Sequence, residues 1–372
     1  MNQKVFNKWN RIVGLIVFAV SAFTYLSTIE PTASFWDCGE FIASSYKLEV
    51  GHPPGNPVFQ LIARFFTIPV APEHAAVAVN AMNAVLSALT IFLLYFTIVF
   101  FAKRLVKGSA SSGRTQLSAG ASAPSSAEAD NSWPSRAQAV AIFGAGAVGA
   151  LAYCFSDTFW FSAVEGEVYA MSSLFTALVF WAMCKWYDQA DEPHANRWIV
   201  LIAFLMGLSI GVHLLNLLTI PAFVFMYYYR MNEGKKLSFK HLAGIFAIGV
   251  VIEFLLVYLF IPYLPKLAAF FDRIFVNGLG LPYNTGALFF LVGLLALCFW
   301  ALFVTLKKGK AFWNTVLLCV TTLVMGFSLF AIVIIRSSVK TPTNEYQPDN
   351  PYTLVRYLSR EQYGSTPLLY GQ

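Results

Sequence analysis

The sequence predicts an all-α polytopic membrane protein with about nine transmembrane helices. Of its 372 residues, 58% are hydrophobic and only 12% are charged, whereas an ordinary soluble domain carries about 25% charged residues. Its mean hydropathy is +0.62, so most of its apolar surface must face lipid rather than water. The net charge of +6 fits basic loops that fix membrane orientation, and we expect membrane lipids and no nucleic acid as partners.

Nine apolar runs support this prediction. A helix needs about 20 apolar residues to cross the hydrocarbon core, which is about 30 Å thick. The runs are 12–29, 77–101, 137–155, 170–185, 198–213, 214–229, 242–262, 286–306 and 312–335.

Basic residues indicate the orientation of these spans. Lys4, Lys8 and Arg11 precede the first run, and a cytoplasmic N-terminus places most of the 25 Lys and Arg residues in inside loops. Cytoplasmic loops carry such an excess. We therefore expect a multi-pass protein of the cell inner membrane, with a cytoplasmic N-terminus and a periplasmic C-terminus.

Two further segments shape the predicted organisation. Residues 57–71 are apolar, but about 15 residues reach only about 22 Å, so we interpret them as a helix in the outer interface. Residues 108–136 are rich in Gly, Ser and Ala and predict a flexible cytoplasmic linker. The transmembrane domain then covers 1–335, and 336–372 form an extracytoplasmic tail.

Two acids in the first outer loop are the candidate catalytic residues. Asp37 and Glu40 are three residues apart and lie on one face if the segment is helical. Two carboxylates at such a short distance shift each other's pKa. One can then act as a base while the other orients it or holds a metal. The alternative is a pair of acids that offset a helix dipole.

The other candidates lie on the same predicted side. We expect them to contact substrate: a cation or His can meet a phosphate, and an acid can meet a hydroxyl. Alternatives are a capped turn for His52, a helix end for His213, a solvated loop for Glu167 and an interfacial position for the basic pair at 266 and 273. The candidates are Trp36, His52, Arg64, Trp160, Glu167, Tyr169, His213, Lys266 and Arg273.

Two functions other than catalysis are alternatives: a transporter or lipid flippase, and a non-catalytic scaffold. Glu253 is an acid within a predicted span, where ionisable groups usually face a partner or a cavity. A transporter or lipid flippase would place its sites near the midplane, whereas most polar candidates here cluster at one surface. A non-catalytic scaffold would need neither catalytic acids nor a transport pathway. The sequence contains no Walker-type glycine loop, HExxH or CxxC motif.

The segment WDCGEFIASSYKLEVGHPPGNPVF, residues 36–59, resembles the first-loop signature of glycosyltransferase family 117, a family common in Bacteroidetes. The signature combines an acidic D-x-G-E with a His-Pro-Pro-Gly element. Residues 165–169 and the tail elements within 350–371 also resemble that branch. The animal relatives of the family are protein O-mannosyltransferases.

The resemblance implies a GT-C fold, with interfacial helices in the first outer loop and the active site on the outer face. It also implies a sugar donor carried on a polyprenyl phosphate and an acidic first-loop residue, Asp37 or Glu40, as general base. We therefore expect transfer of the sugar to an acceptor hydroxyl, that of Ser or Thr in an exported protein. No spacing of acidic residues and histidines in the sequence requires a metal, and binding of a divalent cation stays an alternative.

Overall fold

The structure is a computed structural model that describes residues 1–117, 133–364 and 370, with side chains outside 108–117. Its regular structure in these ranges is helical, and one isolated parallel bridge joins Val50 to Asn344. The all-α prediction is therefore confirmed.

The helices are numbered here in chain order. They are α1 (Gln3–Ser27), α2 (Cys38–Lys47), α3 (Pro57–Thr67), α4 (Ala75–Leu117), α5 (Arg136–Cys154), α6 (Asp157–Ala163), α7 (Val168–Gln189), α8 (Arg197–Ile210), α9 (Ile220–Met231), α10 (Phe239–Phe254), α11 (Ile261–Arg273), α12 (Thr285–Lys307), α13 (Ala311–Phe327), α14 (Ala331–Ser338) and α15 (Pro351–Leu358).

Seven helical stretches in the described chain are long and apolar enough to cross a membrane. Each coincides with a predicted span, so the chain is a polytopic membrane protein. The stretches are Gln3–Ser27, Pro72–Lys107, Arg136–Cys154, Val168–Gln189, Phe239–Gly278, Thr285–Lys307 and Ala311–Ser338.

The two remaining predicted spans are shorter than expected. The run 198–213 becomes α8, which has 14 residues, and the run 214–229 becomes a 3₁₀ turn, Leu214–Thr219, followed by the 12-residue α9. Both helices are shorter than the roughly 20 residues that a span needs. Pro221 lies in the first turn of α9, where a missing N–H is tolerated.

The seventh predicted span is longer than expected. The sequence predicts an outer loop at 263–285, but α10 and α11 join through a π-helical turn, Leu255–Phe260, and a second π-helical turn extends the helix to Gly278. Lys266 and Arg273 therefore lie on a continuous helix. Pro265 lies inside it, and the π-helical turn Leu255–Phe260 precedes it.

The chain divides into two compact units. Unit 1 comprises Met1–Pro31 and Asn80–Glu165. Its core includes Ile91, Tyr95 and Ile142, and the buried Tyr25 hydroxyl donates a 2.9 Å hydrogen bond to the Cys154 carbonyl.

Unit 2 comprises Thr32–Val79 and Gly166–Gln372. Helix α13 packs against α8, α9 against α10, and α11 against both α12 and α15. A Cβ at Gly326 would lie 2.5 Å from the Leu208 nitrogen, so this glycine permits the close approach of α8 and α13. Asp272 accepts a 3.0 Å hydrogen bond from the Gly286 N–H at the start of α12.

The predicted linker is partly helical. Helix α4 continues to Leu117 and α5 begins at Arg136. Residues 118–132 of the linker lie outside the described residues, as do residues 365–369, 371 and 372 of the predicted tail.

Candidate active site

Helix α2 presents the two candidate catalytic acids. Asp37 occupies its N-cap position, and Glu40 lies in its first turn. The Asp37 side chain makes no capping hydrogen bond and is 57% exposed, whereas Glu40 is 28% exposed. The helical spacing places both acids on one face, and Asp37 is the more exposed of the two.

Glu40 binds His52 from two directions. The Nδ1–H of His52 donates to Glu40 Oε2 at 3.0 Å, and the His52 backbone N–H donates to Glu40 Oε1 at 2.6 Å. The opposite ring nitrogen, Nε2, lies 3.9 Å from Asp37 Oδ2. Glu40 therefore fixes the orientation of a ring whose free edge faces Asp37.

Two glycines allow the His52 turn to approach its neighbours. A Cβ at Gly51 would lie 2.4 Å from Glu40 Oε1. Gly55 has a φ of +78°, and a Cβ there would lie 2.6 Å from the Tyr357 hydroxyl. The GHPPG element thus needs glycine at both ends, for close approach at the first and for a left-handed backbone at the second.

Hydrogen bonding and charge favour the ionised forms of both partners. The hydrogen bond to Glu40 raises the pKa of His52 above its usual 6.5; partial burial opposes this, and the charges of Glu40, Asp37 and Glu345 reinforce it. Partial burial opposes ionisation of Glu40, but the hydrogen bonds from His52 and its charge lower the net pKa of that carboxyl below its usual 4.5. An ion pair is the expected state near neutral pH.

The same three side chains include the donor types that a divalent cation uses. One ligand atom from each of Asp37, Glu40 and His52 lies within 4.8 Å of the others. However, His52 already occupies both Glu40 oxygens, so the pair is satisfied without an ion. We assign no metal ligands here.

Two more sequence candidates adjoin α2. Glu167 is buried, and its Oε1 accepts a hydrogen bond from the Cys38 thiol at 3.6 Å, so it supports the start of α2 beside Asp37. Trp36 precedes Asp37 with a φ of +61° and is 87% exposed. Such a backbone is unusual for a bulky residue, and it leaves the indole free to meet a ligand.

The three cationic candidates each lie near an aromatic ring. The Arg64 guanidinium is 5.1 Å from the centre of the Tyr46 ring, and Lys266 and Arg273 lie near the rings of their own helix, 4.9 Å and 5.7 Å away. Among the described residues none of the three forms an ion pair. Their charge is therefore not neutralised by a neighbouring acid.

The remaining candidates make contacts with other residues. Tyr169 contacts the His213 ring with 5.4 Å between centroids. His213 Nδ1 accepts a hydrogen bond from the Leu215 N–H, which fits the helix-end alternative. Trp160 belongs to unit 1, where its indole N–H donates to the Thr28 hydroxyl at 2.9 Å.

Two residues that act on His52 or its loop were not among the candidates predicted from the sequence. After the hydrogen bond to Glu40, the charge of Glu345 also contributes to the raised pKa of His52, and the Tyr357 hydroxyl donates to the Gly51 carbonyl at 2.7 Å. No motif spacing links them to the first loop. The resemblance within 350–371 includes Tyr357 but not Glu345, and it implied no role for Tyr357.

A protein-family model matches the part of the chain that contains the candidate site. The family model described as "Protein O-mannosyl-transferase TMEM260 N-terminal domain" matches residues 37–237, which is more than half of the chain and includes Asp37, Glu40 and His52. No solved structure matches.

Two curated relatives carry a corresponding name. The chain is 22% identical over 210 residues to the protein O-mannosyl-transferase tmem260 of Dictyostelium discoideum, a match that covers 54% of this chain and 21% of the relative. It is 25% identical over 195 residues to the Mus musculus TMEM260 protein, covering 52% of this chain and 22% of the relative.

The chain thus spans about a fifth of the length of the curated relatives it matches. The narrower resemblance to glycosyltransferase family 117 stays a prediction. Because the family model covers residues 37–237, the chain belongs to the family of the TMEM260 protein O-mannosyl-transferase N-terminal domain.

Proposed function

We propose that the protein is a membrane glycosyltransferase that moves a sugar from a polyprenyl-phosphate donor to a Ser or Thr hydroxyl of an exported protein. The observation that carries this proposal is the exposed Asp37 carboxylate, 3.9 Å from a His52 ring that Glu40 orients. The names of the relatives support a protein acceptor and make mannose the first sugar to test.

The proposed reaction is a displacement at C1 of the sugar. Asp37 removes the proton of the acceptor hydroxyl, the hydroxyl oxygen forms a bond to C1, and the bond from C1 to the phosphate oxygen breaks. The lipid phosphate leaves with the bonding electron pair and needs positive charge nearby. Protonated His52, Arg64, Lys266 and Arg273 are the proposed sources of this charge, and Trp36 is the proposed stacking surface for the sugar.

A transporter without transferase activity is the second candidate function. An open groove of about 460 Å³ in unit 2 is lined by leucines and aromatic residues together with Glu253 and His213. An acid facing a groove within a span is typical of a transport pathway. In the transferase reading, the same groove is a proposed place for the prenyl chain.

One reconstitution experiment tests the proposed function. Purified protein in vesicles receives polyprenyl-phosphate mannose and Ser/Thr peptides from exported proteins, and mass spectrometry follows the peptides. We expect peptide carrying one added hexose. Movement of the lipid donor across the bilayer without any glycopeptide would support the transporter instead.

The proposed side of the active site has its own test. An impermeant thiol reagent applied to intact cells should label Ala33→Cys, beside α2, but should label Lys236→Cys only after the membrane is opened. Both positions are exposed, whereas Cys38, Cys154 and Cys184 are buried, so the unmodified protein gives the background. Labelling of Lys236→Cys alone in intact cells would place the candidate site in the cytoplasm.

A further inference from the structure

The chain returns to the candidate site about 300 residues later. We call residues 336–357 the C-terminal strap and residues 47–55 the His52 loop. The strap lies beyond the range 37–237 that the family model matches. Its contacts with the loop therefore belong to a part of the chain to which no role is assigned.

The strap holds backbone groups in the first half of the His52 loop. Arg336 Nε donates to the Leu48 carbonyl at 2.6 Å, and its terminal nitrogen donates to the Lys47 carbonyl at 3.0 Å. Val50 exchanges backbone hydrogen bonds of 3.1 Å with Thr343 and Glu345. These contacts fix the loop up to the residue that precedes Gly51.

Tyr357 holds the next part of the loop. Its side chain is 1% exposed, and its hydroxyl donates to the Gly51 carbonyl at 2.7 Å, with the His52 carbonyl 3.3 Å away. Because Gly55 has no Cβ, the hydroxyl can approach the far side of the turn as well. Tyr357 thus contacts the backbone on both sides of the His52 side chain.

We propose that Tyr357 is a positioning residue for His52: it fixes the carbonyls of residues 51 and 52 and so holds the imidazole between Glu40 and Asp37. After the hydrogen bond to Glu40, the charges of Glu40, Asp37 and Glu345 all raise the pKa of His52. The charged groups that act on His52 are therefore Asp37 and Glu40 from α2 and Glu345 from the strap. The effect on transfer rests on the proposed function, whereas the effect on His52 does not.

The test uses Tyr357→Phe, which keeps the buried ring and removes the hydroxyl. We expect transfer to fall roughly two- to tenfold, the range for one hydrogen bond. In protein labelled with ¹³C at histidine, the titration midpoint of His52 should move to lower pH as its bond to Glu40 loosens. His52→Gln assigns the His52 signal, and Tyr363→Phe, an exposed tyrosine of the same tail, should change neither readout.

A double-mutant cycle separates positioning from general destabilisation. If Tyr357 acts through His52, then Tyr357→Phe should add little to the loss already caused by His52→Gln. An equal loss in both backgrounds, or an unchanged His52 midpoint in Tyr357→Phe, would overturn the proposal. Should Tyr357→Phe not fold, Arg336→Lys weakens the other side-chain anchor of the loop, because a single ammonium replaces the two guanidinium nitrogens that bind the Leu48 and Lys47 carbonyls, and it is judged by the same readouts.

The two proposals fail separately. If the unmodified protein transfers no sugar, the proposed function is wrong, and the His52 midpoint in Tyr357→Phe still decides whether Tyr357 positions the ring. If the unmodified protein transfers sugar and Tyr357→Phe leaves the midpoint unchanged, only the positioning proposal is wrong.

Discussion

Asp37→Asn is expected to lower the rate of sugar transfer by about 10²-fold or more, the usual contribution of a general base. The amide keeps the size and shape of the carboxylate but cannot accept the acceptor proton at neutral pH. Asp37 makes no capping hydrogen bond and is mostly exposed, so folding and donor binding should be largely retained. Glycopeptide formation and donor binding, measured on the same preparation, check both expectations.

The matched control for this variant is Glu73→Gln. Glu73 is an exposed acid between α3 and α4 in the same unit, and its amide variant should transfer at the unmodified rate. If Asp37→Asn also transfers at that rate, the base lies elsewhere. Glu167, which lies beneath the start of α2, would then be the next acid to test.

The local part of the candidate site was predictable because short spacings determine it. Helical geometry alone brings Asp37 and Glu40 to one face, and Pro53 with two glycines indicates a rigid turn at His52. The Glu40–His52 contact spans only 12 residues. Tyr357 is different, because its bond to Gly51 joins residues 306 apart, and no periodicity or spacing carries such information.

The fold shows the same division between local and distant information. Hydropathy located the membrane-length helices, because apolar length is a local property. It overestimated the length of the helices at 198–213 and 214–229. There, the extended residue His213 and the 3₁₀ turn Leu214–Thr219 occupy part of the apolar run. It underestimated the helix after residue 262, because Lys266, Asp272 and Arg273 interrupt the apolar run there, whereas the helix continues through these residues in the structure.

Burial also distinguishes the roles of Asp37 and Glu40, and burial cannot be read from the sequence. The two acids occur in one motif, and their spacing leaves their roles interchangeable. In the structure both oxygens of Glu40 contact His52, whereas Asp37 is 57% exposed. This difference motivates different expectations for the two amide variants.

Glu40→Gln is expected to lower transfer by about ten- to a hundredfold, the range for losing a hydrogen bond to a charged group. The glutamine oxygen still accepts the His52 backbone N–H, but the charge that holds the ring is gone. Because the bond to Glu40 is the largest cause of the raised pKa of His52, that pKa should fall. His52 would then lose its proton at lower pH than in the unmodified protein.

The pH dependence therefore separates this role from that of a base. A histidine with a raised pKa is protonated below that pKa and loses its contribution as pH rises through it. Transfer by the unmodified protein should accordingly decline on the alkaline side, and in Glu40→Gln this decline should begin at lower pH. Rates measured between about pH 5.5 and 9 should show the smallest deficit of the variant at the acidic end. A deficit of the same size at every pH would mean that Glu40 does not act through the charge of His52.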